Sequence, residues 1–421
     1  EGTAVSKFRR VICLLLSVVA FVCLLPLPGA AQEIALASEA AVLMDAESGQ
    51  ILYGKNMDST MYPASITKVL TGLLALKYAK ETDKVTMTQA GVSQVPRTSS
   101  HIALEPGEAF TMKDALYALA LVSANDAAVA IAETVSGSVE DFAKLMNEEA
   151  EKLGAYNSHF VNPNGMPNQE HYTTARDMAL ITAEALKQEG FLTYFGAKSY
   201  EMPATNLSAA RPLVSKNQFI DGTFDCPGLL MSKTGWTSSA LGTLVTAVKR
   251  GDTTLIAVTL KSPMLEDKYT DTLALLDYGF ANYRRVRLSQ KLMERKMVAQ
   301  GMDGDCSLEG YTPQDVLIPQ TAGEADIAVT VPGGFDSSLG VSTVPASVDV
   351  KQEDGTWIHV TDLLLTIRDP EPEAEALAET EGVEAAAETE AKAIHPGAAI
   401  LLGLAVVFFL FRCIGKRKVT V

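Results

Sequence analysis

Three short groups of residues carry side chains suited to nucleophilic catalysis, and they stand in the order Ser65-Ile66-Thr67-Lys68, Ser123-Ala124-Asn125 and Lys233-Thr234-Gly235. Residues three apart on a helix share a face, so Lys68 can bring its amine against the Ser65 hydroxyl if Pro63-Ala64-Ser65 opens that helix. A serine hydroxyl is a weak nucleophile without such a base. Lys68 can accept a proton only when neutral, which requires burial or a nearby positive charge, and Lys233 is the candidate neighbour. Ser123 and Asn125, two apart in an expected extended loop, would face the same cleft. There Ser123 would relay a proton to a leaving amine and Asn125 would orient a substrate amide. Lys233-Thr234-Gly235 on an edge strand offers an ammonium, a hydroxyl and an unobstructed backbone. A peptide could lie antiparallel to that edge with its terminal carboxylate on Lys233 and Thr234. The N–H groups of Ser65 and Trp236 are the positional candidates for an oxyanion hole.

Each motif alone also fits a structural role: Ser65 a cap, Lys68 a solvated helix lysine, Ser123 and Asn125 a cap before Asp126, Lys233 an edge-strand charge. All three together, in this order, favour the chemistry.

These residues need elements to hold them. AAVLMDAESGQILYGKN is two apolar runs joined by Glu47-Ser48-Gly49, a β-hairpin opening a sheet. Helices follow: Ser65 to Lys80, a run to Val122 capped by Thr111 and Asp114, one capped by Ser138 and Asp141, and one opened by Thr174 and Asp177 through Lys187. Strand signals return at Leu229–Lys233, Leu241–Val248 and Thr254–Leu260, before a helix over Asp271–Phe280. Strand first, helices in the middle and strands last predict an α+β domain whose sheet unites both ends of the segment. From about Asn282, short Val/Ile/Thr runs punctuated by Gly, Pro and Asp predict a small all-β module.

The three motifs form the active-serine pattern of β-lactamases and penicillin-binding proteins. The sequence closely resembles the D-alanyl-D-alanine carboxypeptidases among the low-molecular-mass penicillin-binding proteins. The resemblance runs from about Ala40 to Phe280 through YPASITKVLTGLLAL, LVSANDAAVAIAE, FVNPNGM, TTARDMALI, LLMSKTGWT and LLDYGF. It implies a β-lactamase/transpeptidase-like catalytic domain, an antiparallel sheet with a helical region, followed by a β-rich domain that holds it away from a membrane. It also implies an acyl-enzyme at Ser65, Lys68 as base and Lys233 holding the substrate carboxylate. The implied substrate is a peptidoglycan stem peptide ending in D-Ala-D-Ala, with β-lactam antibiotics as inhibitors and no cofactor.

Two features depart from the pattern: many relatives carry His or Thr where Trp236 stands, and many end in an amphipathic membrane-surface helix. A serine β-lactamase shares the acylation apparatus, but no E-x-x-x-N stands between the second and third motifs to activate a deacylating water. A D,D-endopeptidase uses the same residues. A non-catalytic penicillin-binding wall sensor would keep the pocket without turnover, and intact Ser65, Lys68 and Lys233 argue against that loss.

The chain has 421 residues, 47% hydrophobic and 20% charged, which excludes disorder or coiled coil for most of its length. Its formal charge of −16 is uneven. Residues 32–368 hold 27 Lys and Arg against 41 Asp and Glu, so no basic excess supports nucleic-acid binding. Residues 1–31 have a basic start, an apolar stretch and small residues at Gly29-Ala30-Ala31, the pattern of a secretory signal peptide. Residues 393–415 are long and apolar enough for a transmembrane helix, with Lys416-Arg417-Lys418 in a basic cytoplasmic tail, 416–421. Between body and span, 369–392 carries nine carboxylates and one lysine and reads as an acidic stalk. The expected organisation is therefore a catalytic domain, 32–281, and a β-rich domain, 282–368, both extracytoplasmic and held at the cell membrane by a single pass.

Cys13, Cys23 and Cys413 fall in the apolar ends. Cys226 and Cys306 fall in different expected domains, which disfavours a bridge. The five histidines, His101, His159, His171, His359 and His395, show no metal-ligand spacing, so no metal is implied.

Overall fold

A computed structural model describes residues 34–298, 307–331, 341–353 and 355–368. The expected signal, stalk, span and tail, and Cys306, lie outside these residues. Among the described residues no helix is long and apolar enough to cross a membrane.

The first hairpin is β1 (Ala40–Asp45) and β2 (Ile51–Lys55). A 3-10 turn, Ala64–Thr67, leads into α1 (Lys68–Tyr78). The helical region continues through β3 (Lys84–Thr86), α2 (Gln89–Ser93), β4 (Ala109–Thr111), α3 (Met112–Leu121), α4 (Asn125–Ser136), α5 (Val139–Lys152), α6 (Ala175–Lys187) and α7 (Phe191–Phe195). A small hairpin, β5 (Ser199–Met202) with β6 (Arg211–Val214), precedes β7 (Leu229–Thr237), β8 (Leu241–Arg250), β9 (Thr253–Ser262) and α8 (Asp267–Asn282).

The caps read from sequence are formed. Thr111 accepts the Asp114 N–H while Asp114 accepts the Thr111 N–H, and Ser138 and Thr174 accept the N–H of Asp141 and Asp177. Each such cap stabilises its helix by about 1 kcal/mol. Helix α4 has no such signal: its N-cap is Ala124, which makes no side-chain cap bond. Helix α8 starts four residues before the expected Asp271, with Asp267 in its first turn.

The main sheet has the order β2-β1-β9-β8-β7, every neighbour antiparallel, so the ends of the segment do meet in one sheet. Its inner strands are covered on both faces and read as nearly continuous apolar runs. Val42, Val245 and Val258 face a core shared with the helices, while Leu43, Leu244 and Leu255 face one shared with Leu275 and Leu276 of α8. Full burial of each such side chain contributes about 1.5–3 kcal/mol.

After α8, β10 (Tyr283–Leu288) is followed by a nine-residue helix, α9 (Gln290–Val298), and then β11 (Ser307–Leu308), β12 (Gln314–Pro319), β13 (Ile327–Thr330), β14 (Val341–Lys351) and β15 (Trp357–Arg368). Here β10 pairs with β12, and β11-β15-β14-β13 form a second sheet. This region is joined to the first hairpin by directional bonds. Gln50 donates to Leu317 O at 2.8 Å and accepts the Leu317 N–H at 3.0 Å. Arg285 meets the fully buried Asp45 at 2.8 Å and Glu47 at 3.0 Å. Cys226 is a buried free thiol.

Candidate active site

The three motifs converge where the start of α1, the α3–α4 turn and the outer strand β7 meet. Pro63 precedes the 3-10 turn that carries Ser65, and Ala64 adopts a left-handed φ of +49°. That conformation costs a non-glycine residue about 1–2 kcal/mol and must be held by its surroundings.

Lys68 is fully buried, one turn beyond Ser65. Its Nζ lies 3.0 Å from Ser65 Oγ, 2.7 Å from Asn125 Oδ1 and 2.6 Å from Asn164 O. The last two are carbonyl oxygens, which only accept. A neutral amine has two hydrogens, and both are used there. Its lone pair is left for the Ser65 hydroxyl. Burial, reinforced by the Lys233 ammonium, pulls Lys68 well below the usual ammonium range, with Asp126 opposing.

The second motif is not an extended loop. Helix α3 ends at Leu121 and α4 begins at Asn125, leaving a tight turn in which Ser123 is left-handed at φ +58°. The turn is pinned by Ala124 N–H to Ala118 O at 3.1 Å and Asn125 N–H to Ser100 O at 2.8 Å. Ser123 and Asn125 still reach one site, but through different lysines.

Lys233 also departs from expectation, because its ammonium is not displayed on the open edge. The alternation of β7 puts Met231 and Lys233 on the face toward the helices, and Lys233 is only 2% exposed. Its Nζ donates to Ser123 Oγ at 2.9 Å and to Thr234 O at 2.8 Å. Burial, then repulsion from Lys268 on α8, brings it down to about 7. Thr234 stays half-buried and Trp236 is 57% exposed.

Gly235 is required by proximity. A Cβ there would fall 2.4 Å from Thr243 Oγ1 and 2.8 Å from Ser65 N. Its absence lets β7 press against the turn that carries Ser65. As the outermost strand of the sheet, β7 leaves alternate backbone groups outside the sheet's hydrogen-bond ladder. Ser65 and Trp236, the two expected N–H donors, flank this contact.

Sequence reasoning missed several participants. Asn164 contributes through its backbone, and the turn signal Asn162-Pro163-Asn164-Gly165 was its only trace. Asp126 accepts the N–H groups of Ile102 and Leu104, fastening the neighbouring loop to the start of α4. Lys268 acts on Lys233 from another element. His171 and Thr67 lie behind Ser65, 3.0 Å apart.

A buried lysine set one turn from a serine, beneath the edge strand of an antiparallel sheet in an α+β fold, is the arrangement of an active-serine protein. The sequence family described as D-alanyl-D-alanine carboxypeptidase matches residues 28–264, more than half of the chain, and the chain belongs to that family. It is 36% identical over 256 residues to the D-alanyl-D-alanine carboxypeptidase DacF of Bacillus subtilis, covering 60% of this chain and 64% of that protein. It is 30% identical over 295 residues to DacA of Haemophilus influenzae, covering 68% and 73%. Among solved structures, a Streptomyces DD-transpeptidase is similar at 29% identity and a TM-score of 0.55, over 59% of this chain and 99% of that one. Penicillin binding protein 5 of Haemophilus influenzae, at 24% identity, shares the fold with a TM-score of 0.64 over 80% of this chain and 98% of its own.

Proposed function

We propose that the chain is a serine D-Ala-D-Ala carboxypeptidase that removes the terminal D-alanine from peptidoglycan stem peptides through an acyl-enzyme at Ser65. β-Lactams acylate the same serine. The observation that carries this reading is the buried Lys68 Nζ 3.0 Å from Ser65 Oγ, with carbonyl oxygens at 2.7 and 2.6 Å placed to take both hydrogens of its neutral form.

The stem peptide lies antiparallel to β7, its terminal carboxylate on Thr234 and in the field of Lys233. The carbonyl of the penultimate residue points its oxygen between the N–H groups of Ser65 and Trp236, and Asn125 orients the acyl-side amide. Lys68 takes the Ser65 proton as Oγ attacks. The proton held by Lys68 is then relayed through Ser123 to the departing D-alanine amine, which returns Lys68 to its neutral form. Water, deprotonated by Lys68, attacks the ester, and Lys68 hands that proton to Ser65 Oγ as the shortened peptide leaves. In a β-lactam the leaving amine stays tethered to the opened ring, so it remains over the ester and hinders that water.

The test uses the full chain in detergent with labelled penicillin and a synthetic pentapeptide ending in D-Ala-D-Ala. Wild type should take the label and release D-alanine, and Ser65→Ala should do neither. Labelling of Ser65→Ala, or no D-alanine from wild type, would sink the proposal.

We further propose export by residues 1–31 and a single C-terminal pass at 393–415, which leaves the site outside the membrane. The apolar length of 393–415 and the basic Lys416-Arg417-Lys418 after it support this. Carbonate extraction of membranes should leave the protein in the pellet, and release to the supernatant would overturn the anchor.

A further inference from the structure

We infer that Thr67, backed by His171, is a positioning pair that aims the Ser65 N–H into the oxyanion site. The inference rests on the acyl-transfer reading above.

The carbonyl of Ala64 and the N–H of Ser65 belong to one planar trans peptide unit and point in opposite directions. Whatever fixes that carbonyl fixes the N–H. The unit follows Ala64 at φ +49°, so neighbouring contacts must hold it. Thr67 Oγ1 donates to Ala64 O at 2.8 Å. The backbone of Gly165 packs so closely that a Cβ there would stand 1.9 Å from the same oxygen. Thr243 Oγ1 donates to the preceding carbonyl, Pro63 O, at 2.9 Å.

A threonine hydroxyl has one hydrogen, and its direction depends on what stands on its other side. His171 Nδ1 accepts the Val161 N–H at 3.1 Å, so the proton of the neutral imidazole resides on Nε2. Nε2 lies 3.0 Å from Thr67 Oγ1. His171 therefore donates to Thr67, and the hydroxyl hydrogen is left for Ala64 O. The imidazole is 1% exposed and packs edge-on against Phe160, with ring centroids 5.5 Å apart. Burial pulls its pKa down to about 3, so the relay keeps one direction through the neutral range. Thr67 and His171 are both buried and bond the turn behind Ser65. They act on the reaction by holding the peptide whose nitrogen lies against Gly235 of β7.

A merely structural hydrogen bond would change thermal stability and leave the acylation step alone. The test therefore separates non-covalent penicillin affinity from the acylation rate at saturation in the full chain, with thermal midpoints recorded alongside. Removing one oxyanion donor slows chemistry by about 10²–10³-fold. Misaiming it in Thr67→Val should slow acylation by about 10²-fold, with affinity within about threefold of wild type. Thr67→Ser keeps the hydroxyl and should stay within about threefold of wild type. His171→Gln should be slower by about tenfold, and the Thr67→Val/His171→Gln double variant no slower than Thr67→Val beyond about twofold, because both act through one bond.

Acylation of Thr67→Val within threefold of wild type would overturn the inference, as would an equal loss in Thr67→Ser or multiplicative losses in the double variant. Should Thr67→Val not fold, His171→Gln decides: a wild-type acylation rate overturns the pair. Failure of wild type itself to take the label would instead overturn the acyl-transfer reading.

Discussion

Lys68→Arg should acylate with penicillin about 10³-fold more slowly than wild type, or not at all, although it preserves the positive charge. In the proposed mechanism lysine serves at this position because it can be neutral. It is fully buried beside a second ammonium, and two carbonyls engage its hydrogens. A guanidinium does not deprotonate in a protein and has no lone pair to offer Ser65. If Lys68 only supplied a cation to attract substrate, arginine would serve. Time courses of labelling for the two proteins at equal concentration decide the matter, and a rate within tenfold of wild type would remove Lys68 as the base.

Gly165→Ala should be the most damaging single-methyl change near the site. Gly165 is left-handed at φ +79°, and a Cβ would lie 1.9 Å from Ala64 O and 2.9 Å from Thr67 Oγ1. Backbone strain of about 1–2 kcal/mol and overpacking of about 1–3 kcal/mol together predict a loss of about 2–5 kcal/mol. In a domain of this size that lowers the thermal midpoint by about 4–20 °C. Gly137→Ala is the matched control, because Gly137 has φ +80° and nothing within 4 Å of the added carbon. It should lose about 1–2 kcal/mol, the strain alone. Equal midpoints for the two variants would show that the contact with Ala64 carries no weight. Any Gly165→Ala that remains folded should also acylate slowly, since the displaced carbonyl belongs to the Ser65 peptide.

The side chains with chemistry were legible in the sequence because their types and spacing are the chemistry. Ser65, Lys68, Ser123, Asn125 and Lys233 stand together, and the caps at Thr111, Ser138 and Thr174 placed three helices. What escaped was written in backbone or in tertiary context. At the start of α4 the capping role open to Ser123 and Asn125 is not what forms: the N-cap is Ala124, which has no capping oxygen, while Asn125 and Asp126 are engaged elsewhere, with Lys68 and with the loop at Ile102 and Leu104. The carbonyl of Asn164 carries no mark that side-chain reasoning can read. Lys233 looked like an open-edge charge because strand alternation alone does not say which face the helices cover. His171 looked like an isolated histidine because its partners, Thr67 and Val161, are 104 and 10 residues away.

The bonds of Gln50 and Asp45 to the second β-region bear on access to the β7 edge. They fasten that region at the β1–β2 turn, on the side of the sheet away from β7. Three to four interstrand steps, roughly 14–19 Å at about 4.8 Å each, separate the fastening from the working edge. The substrate proposed above is part of a cross-linked polymer, which is too bulky to thread a closed pocket and would be met sideways. The attachment of the described second β-region is thus carried on the opposite flank from the strand against which such a polymer would lie.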